Sequence, residues 1–266
     1  MSVTPAFEAA KRAGRAALVG YLPAGFPTVD ESIAAIETMI DSGCDVIEVG
    51  LPYSDPVMDG HAIQRAAAMA LAGGCRTREV LRVVEAVAGK GVPILVMTYW
   101  NPIERYGVDA FARDFAAAGG AGLITPDLIP DEAAEWIAAS DAHDLDRVFL
   151  VAPSSTKERI ALTVNACRGF VYAQSIMGIT GARDSTSSAA PGLVERTRAA
   201  TDLPIGVGLG VRDGDQAAEV ATFADGVIVG SAMVSCLLDA PDEKAGRKAL
   251  GSLTAELAEG VARGAG

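Results

Sequence analysis

Residues 45–60 read Asp45-Val46-Ile47-Glu48-Val49-Gly50-Leu51-Pro52-Tyr53-Ser54-Asp55-Pro56-Val57-Met58-Asp59-Gly60. The core of this stretch, 46–51, is short, β-branched and apolar except for one glutamate, and a proline closes it. Such a run reads as a buried strand. Working outward, seven further runs have the same character: 17–22, 93–99, 122–125, 147–152, 170–175, 205–208 and 226–229. Strands apolar along nearly their whole length suit a parallel sheet covered on both faces. Amphipathic, Ala-rich segments lie between them, among them 32–42, 78–88, 108–118, 131–140, 157–166 and 192–200. Gly43, Gly89 and Gly119 follow three of these, where a helix stop is expected. The units recur every 25 to 35 residues, roughly the length of a βα unit. Eight of them predict an α/β fold, a (β/α)8 TIM barrel. The expected organisation is one domain over 1–266, with an extra N-terminal helix near 5–14 and a C-terminal helix near 243–261. A doubly wound open sheet competes, but its G-x-G-x-x-G turn does not follow Leu22.

Composition narrows the function. Half of the 266 residues are hydrophobic, so a full core is expected and wholesale disorder is not. Lys and Arg total 22 against 34 Asp and Glu, a net charge of -12 with no basic run, which argues against nucleic acid as a partner. Cys44, Cys75, Cys167 and Cys236 are widely spaced, and the histidines are only His61 and His143. No metal site is expected from that set. No signal peptide and no membrane-spanning run are evident, so the expected location is cytoplasmic.

In such barrels the chemistry sits at the C-terminal ends of the strands. The seventh run leads into Gly208-Leu209-Gly210 and the eighth into Gly230-Ser231. Glycines there let backbone amides approach an anion, and the loops after these two strands form the recurring phosphate site of the fold. Ordinary turn glycines are the competing reading. Glu48, inside an apolar strand, must face the barrel mouth or find a partner such as an arginine. Burial raises a carboxyl pKa, as a proton donor near neutral pH requires. Asp59, before Gly60, is locally a turn residue, but it adds a second carboxylate at the same strand end. The lysines Lys11, Lys90, Lys157, Lys244 and Lys248 all lie away from strand C-termini, which argues against a Schiff base. Proton transfer by carboxylates on a phosphate ester remains. If a carbon–carbon bond breaks, the substrate must carry its own electron sink.

Over essentially its full length the chain resembles the tryptophan synthase alpha-subunit family. The likeness rests on Tyr21-Leu22-Pro23-Ala24-Gly25-Phe26-Pro27, on the string from Ile47 to Gly60, and on Pro126-Asp127-Leu128. It continues in Gly178-Ile179-Thr180-Gly181, Gly208-Leu209-Gly210 and Gly230-Ser231-Ala232. The resemblance implies retro-aldol cleavage of indole-3-glycerol phosphate to indole and glyceraldehyde 3-phosphate, with the indole ring as the electron sink. It implies Glu48 as the acid–base residue and Asp59 as the partner of the ring N–H. It places Tyr172 near Glu48, Thr180 in a lid over 178–188 that closes onto Asp59, and Gly181, Gly210, Gly230 and Ser231 at the phosphate.

The resemblance also implies a beta-subunit partner in an α2β2 assembly. That partner uses pyridoxal phosphate, so no cofactor is expected in this chain, and Asp55 and Pro56 lie near the contact. Four positions, in three places, depart from the family pattern. His61-Ala62 replace a Pro-Thr pair, Phe26 replaces a frequent Asp, and Met58 stands where a smaller residue is common. Rival expectations are a free-standing lyase with the same chemistry, a barrel kept mainly to activate a partner, and a phosphosugar isomerase.

Overall fold

The computed structural model describes residues 2–174 and 189–264. Nine strands appear: β1 Ala17–Pro23, β2 Val46–Gly50, β3 Ile94–Met97, β4 Gly122–Ile124, β5 Asp146–Val148, β6 Leu150–Val151, β7 Val171–Gln174, β8 Ile205–Gly208 and β9 Gly226–Val229. All pair in parallel, in the order β5-β4-β3-β2-β1-β9-β8-β7-β6. The two ends of that order are consecutive in the chain and separated by Phe149 alone, so the sheet wraps into a nearly closed barrel. The sequence predicts one strand over 147–152. Here that strand changes neighbours midway, its first half pairing with β4 and its second with β7. Arg147 exchanges backbone hydrogen bonds with Arg168 at 3.2 and 2.8 Å, so the chain entering β7 occupies the free edge of β5.

The helices are α1 Thr4–Arg12, α2 Val29–Asp41, α3 His61–Ala72, α4 Thr77–Val87, α5 Trp100–Tyr106, α6 Val108–Ala117, α7 Ala134–Ala142, α8 Lys157–Ala166, α9 Ala189–Arg198, α10 Gly214–Ala221, α11 Ser231–Leu238 and α12 Glu243–Arg263. The six amphipathic segments become α2, α4, α6, α7, α8 and α9, and the two terminal helices become α1 and α12. Helix α3 is nearly uncharged, α5 is one short piece opened by aromatics, and α11 is apolar almost throughout, so periodicity does not announce them. Side chains of Thr28, Thr156, Asp213 and Asp242 accept the N3 amides of α2, α8, α10 and α12 at 2.8–3.2 Å.

Two layers of core follow from strand alternation. Outward residues pack against the helices, while Val19, Val46, Leu95, Ile124, Val148, Phe170 and Ile228 fill the barrel interior together with Val3, Phe7 and Ala10 of the N-terminal segment. Phe7 packs against Phe170 with tilted rings 5.1 Å apart and lies over Gly226, the first residue of β9. Asp146, fully buried at the start of β5, accepts from the amide of Val3 and the hydroxyl of Ser2, both at 2.8 Å. These contacts all lie at the N-terminal ends of the strands, so α1 stoppers the barrel floor. Asp45 and Asp225 secure the same end: each pairs with an arginine, Arg15 or Arg198, and accepts a backbone amide from the neighbouring strand. Among the described residues no helix is long and apolar enough to cross a membrane, and the four cysteines are free.

Candidate active site

Glu48 shares the inward face of β2 with Val46, one step nearer the mouth, and its register partners are Tyr21 on β1 and Leu95 on β3. It is 1% exposed, and neither carboxylate oxygen has a hydrogen-bond partner among the described residues. The arginine-paired alternative is therefore not what the fold builds. Burial alone pushes the Glu48 carboxyl up to about 8, so at neutral pH it holds its proton. An unpaired carboxyl in a dry pocket is a poor structural element and a ready proton donor.

Two tyrosines frame it. Tyr21 on β1 is buried and Tyr172 on β7 half-buried, and both hydroxyls are pushed upward, first by desolvation, then by the charge of Asp59 and next Glu48 at Tyr21 and by that of Glu48 at Tyr172. Both stay neutral and hydrogen-bond capable. Each lies over a glycine of a neighbouring strand. A Cβ on Gly50 would stand 2.2 Å from the Tyr21 hydroxyl oxygen, and one on Gly208 would stand 2.4 Å from that of Tyr172. Tyr172, expected near Glu48, stands where the Glu48 charge acts on it. Tyr21 stands in the first motif, but nothing in its local sequence marks it as lining the site.

Asp59 sits in the loop between β2 and α3. Burial raises its carboxyl, and a hydrogen bond from Tyr99 opposes that rise. Tyr99, which follows β3, donates to Asp59 Oδ1 at 3.2 Å and accepts the amides of Val57 at 3.1 Å and Met58 at 2.9 Å. Tyr53 stacks on its ring at 5.0 Å. The next amide, of Trp100, is held by Asp127 at 2.9 Å, which gives the Pro126-Asp127-Leu128 motif a local task. The sequence reading missed Tyr99. The available signal was a polar aromatic residue at the mouth end of an otherwise aliphatic run.

On the other side of the mouth, Gly210 has φ +73°, the left-handed region that favours glycine. Gly230 caps α11 with no side-chain bond, and Ser231 is the first residue of the helix. Its opening amides carry the positive end of the helix dipole and have no side-chain cap. The two loops are brought together because β8 and β9 are paired.

Thr180, Gly181 and the 178–188 segment lie outside the described residues. Asp55 is exposed and Pro56 half-buried at the tip of the Asp59 loop. His61 is the exposed first residue of α3, and Ala62 behind it is half-buried. Phe26 is buried in the chain's own core at 2% exposure, not on an outer face, while Met58 is exposed. No group of three or more His, Cys, Asp or Glu able to hold a metal ion occurs among the described residues.

One class of protein suits this mouth: a barrel lyase that moves protons with carboxylates and grips its substrate through an anion. Comparison turns the class into a family. A family model described as tryptophan synthase alpha chain matches residues 7–261, and the chain belongs to that family. It is 67% identical to the tryptophan synthase alpha chain of Salinispora arenicola over 96% of both chains. It is 62% identical to that of Mycobacterium marinum over 97% of this chain and 93% of the relative. A solved structure of Mycobacterium tuberculosis tryptophan synthase superposes with a TM-score of 0.92 at 60% identity, covering 97% of each chain.

Proposed function

We propose that this chain cleaves indole-3-glycerol phosphate to indole and glyceraldehyde 3-phosphate as the alpha subunit of a tryptophan synthase. The observation that carries the mechanism is the burial of Glu48 with no hydrogen-bond partner among the described residues. Protonated at neutral pH, it delivers its proton to C3 of the indole ring. The ring becomes an iminium-like cation, and Asp59, accepting the ring N–H, stabilises that charge as it develops. The ionised Glu48 then takes the proton of the adjacent side-chain hydroxyl. The carbon–carbon bond breaks as the new carbonyl forms, its electrons restore the aromatic ring, and Glu48 ends protonated as it began. Tyr172 and Tyr21 wall the ring site and keep water from the acid.

The substrate phosphate is assigned to Gly210, Gly230 and Ser231, with Gly181 beside them and Thr180 meeting Asp59. Left-handed backbone at Gly210 and uncapped amides at the start of α11 support that assignment. Asp55 and Pro56 are assigned to the contact with a beta subunit in an α2β2 assembly, supported by their place at the loop tip just ahead of Asp59. Pyridoxal phosphate belongs to that partner. The lysines here lie on α1, α8, α12 and the short turn after α4, none of them on a strand. The chain is read as one domain over 1–266, working in the cytoplasm.

The test is indole release from indole-3-glycerol phosphate by the purified chain, alone and then with a matched beta subunit and serine. Slow release that rises strongly with the partner supports the proposal. Fast release that ignores the partner favours a free-standing lyase, and no release in either condition overturns the catalytic reading.

A further inference from the structure

A phenol hydroxyl has one hydrogen to give and two lone pairs to offer. In Tyr99 all three serve the same loop. With the amides of Val57 and Met58 both directed at Oη, at 3.1 and 2.9 Å, its own hydrogen points to Asp59 Oδ1 at 3.2 Å. Tyr99 itself is anchored from elsewhere. Its ring is 5% exposed and stacked on Tyr53, whose hydroxyl accepts from Asn101 Nδ2 at 3.3 Å, and the next residue's amide is tied to Asp127. The loop of 51–60 has no regular secondary structure, so few internal bonds orient Asp59. The Gln64 side-chain amide also donates to the Asp59 backbone carbonyl at 2.8 Å.

We infer that Tyr99 is a positioning residue: it fixes the orientation of the Asp59 carboxylate and of the backbone that carries it, from a strand end outside the loop. Holding Oδ1 leaves Oδ2 for the incoming ring N–H. This rests on the assignment of Asp59 to that N–H. The loop tip, Asp55 and Pro56, directly precedes the two amides that Tyr99 holds, so a displacement of the tip reaches Asp59 through one oxygen atom.

The test is Tyr99→Phe, which keeps the ring and its stack on Tyr53. Amide hydrogen exchange, followed by NMR, reads the contact without reference to activity. Exchange at Val57 and Met58 should quicken by about tenfold, the order expected for loss of one hydrogen bond. Unchanged protection there overturns the inference. In steady-state kinetics kcat should fall roughly 10- to 100-fold, as for loss of a hydrogen bond to a charged group, with KM moving less than about threefold.

The decisive comparison is the same substitution in an Asp59→Asn background. A residue that acts through Asp59 produces little further loss there, whereas an equal loss in both backgrounds overturns positioning. If the parent chain releases no indole, the functional reading fails, and the exchange measurement still decides whether Tyr99 holds the loop.

Discussion

Tyr172 lies across Gly208 so closely that a Cβ on the glycine would stand 2.4 Å from the tyrosine hydroxyl oxygen and 3.0 Å from two ring carbons. The ring that walls the Glu48 pocket is thus seated by the absence of a side chain on the next strand. Gly208→Ala should push the ring out of place and destabilise the fold by about 1–3 kcal/mol, the usual range for overpacking. Urea unfolding measures it. Adding Tyr172→Phe removes the closest atom, so the double variant should recover part of the loss. No recovery would mean that the strain lies elsewhere.

Glu48→Gln should abolish nearly all indole release while leaving the fold intact. Its pH signature is specific. The folded carboxyl is held at about 8, above its ordinary range, so the folded state keeps a proton that the unfolded chain releases. Stability from this group is therefore present at low pH and lost as pH rises toward 8. A neutral glutamine removes that loss. The variant should exceed the parent increasingly from the ordinary carboxylate range up to about pH 8, reaching on the order of 3–5 kcal/mol above it. Equal stability at pH 6 and pH 9 would show that the carboxyl is not buried as described. In the parent, kcat/KM should decline as pH rises through about 8, as the acid form is lost.

Gly210→Val tests the anion site. A β-branched residue at φ +73° is strained by roughly 1–2 kcal/mol, and the loop should leave its left-handed turn. The KM for indole-3-glycerol phosphate should rise about tenfold or more while kcat changes less, the mark of lost ground-state binding. Inorganic phosphate should also become a weaker competitor. An unchanged KM would remove Gly210 from the phosphate site.

The barrel floor makes the opposite prediction. Phe7→Ala empties the space against Phe170 and Gly226 and should cost about 3–5 kcal/mol in urea unfolding. Below the unfolding transition, kcat/KM should stay near the parent value, because the floor and the mouth are opposite ends of the strands. A large kinetic loss in a folded variant would show that the two ends are coupled.

Much of the site is legible before folding because the informative residues stand out from their neighbours. Glu48 is the one charge in an apolar strand, and Gly210 and Gly230 fall where two successive strands stop. Tyr99 and Tyr21 are different. Each reads locally as core, and each acquires its part from residues on other strands. Phe26 shows the reverse: it differs from the family pattern at a loop position, yet the fold buries it within the chain. His61 simply opens α3.

What the sequence by itself determines is the alternation of strands and helices, the barrel that follows from it, and which carboxylates and glycines end up on the rim. Those follow from periodicity and from chain direction, which are local properties. The split of the fifth strand at Phe149, the floor closed by α1, the burial of Glu48 without a hydrogen-bond partner among the described residues, and the three bonds of the Tyr99 hydroxyl are decided only in the tertiary structure. Each depends on stagger between strands far apart in sequence, and no local pattern encodes how a closing sheet distributes its shear. The acid at the centre of the site owes its raised pKa to that closure, because only the assembled barrel removes its water.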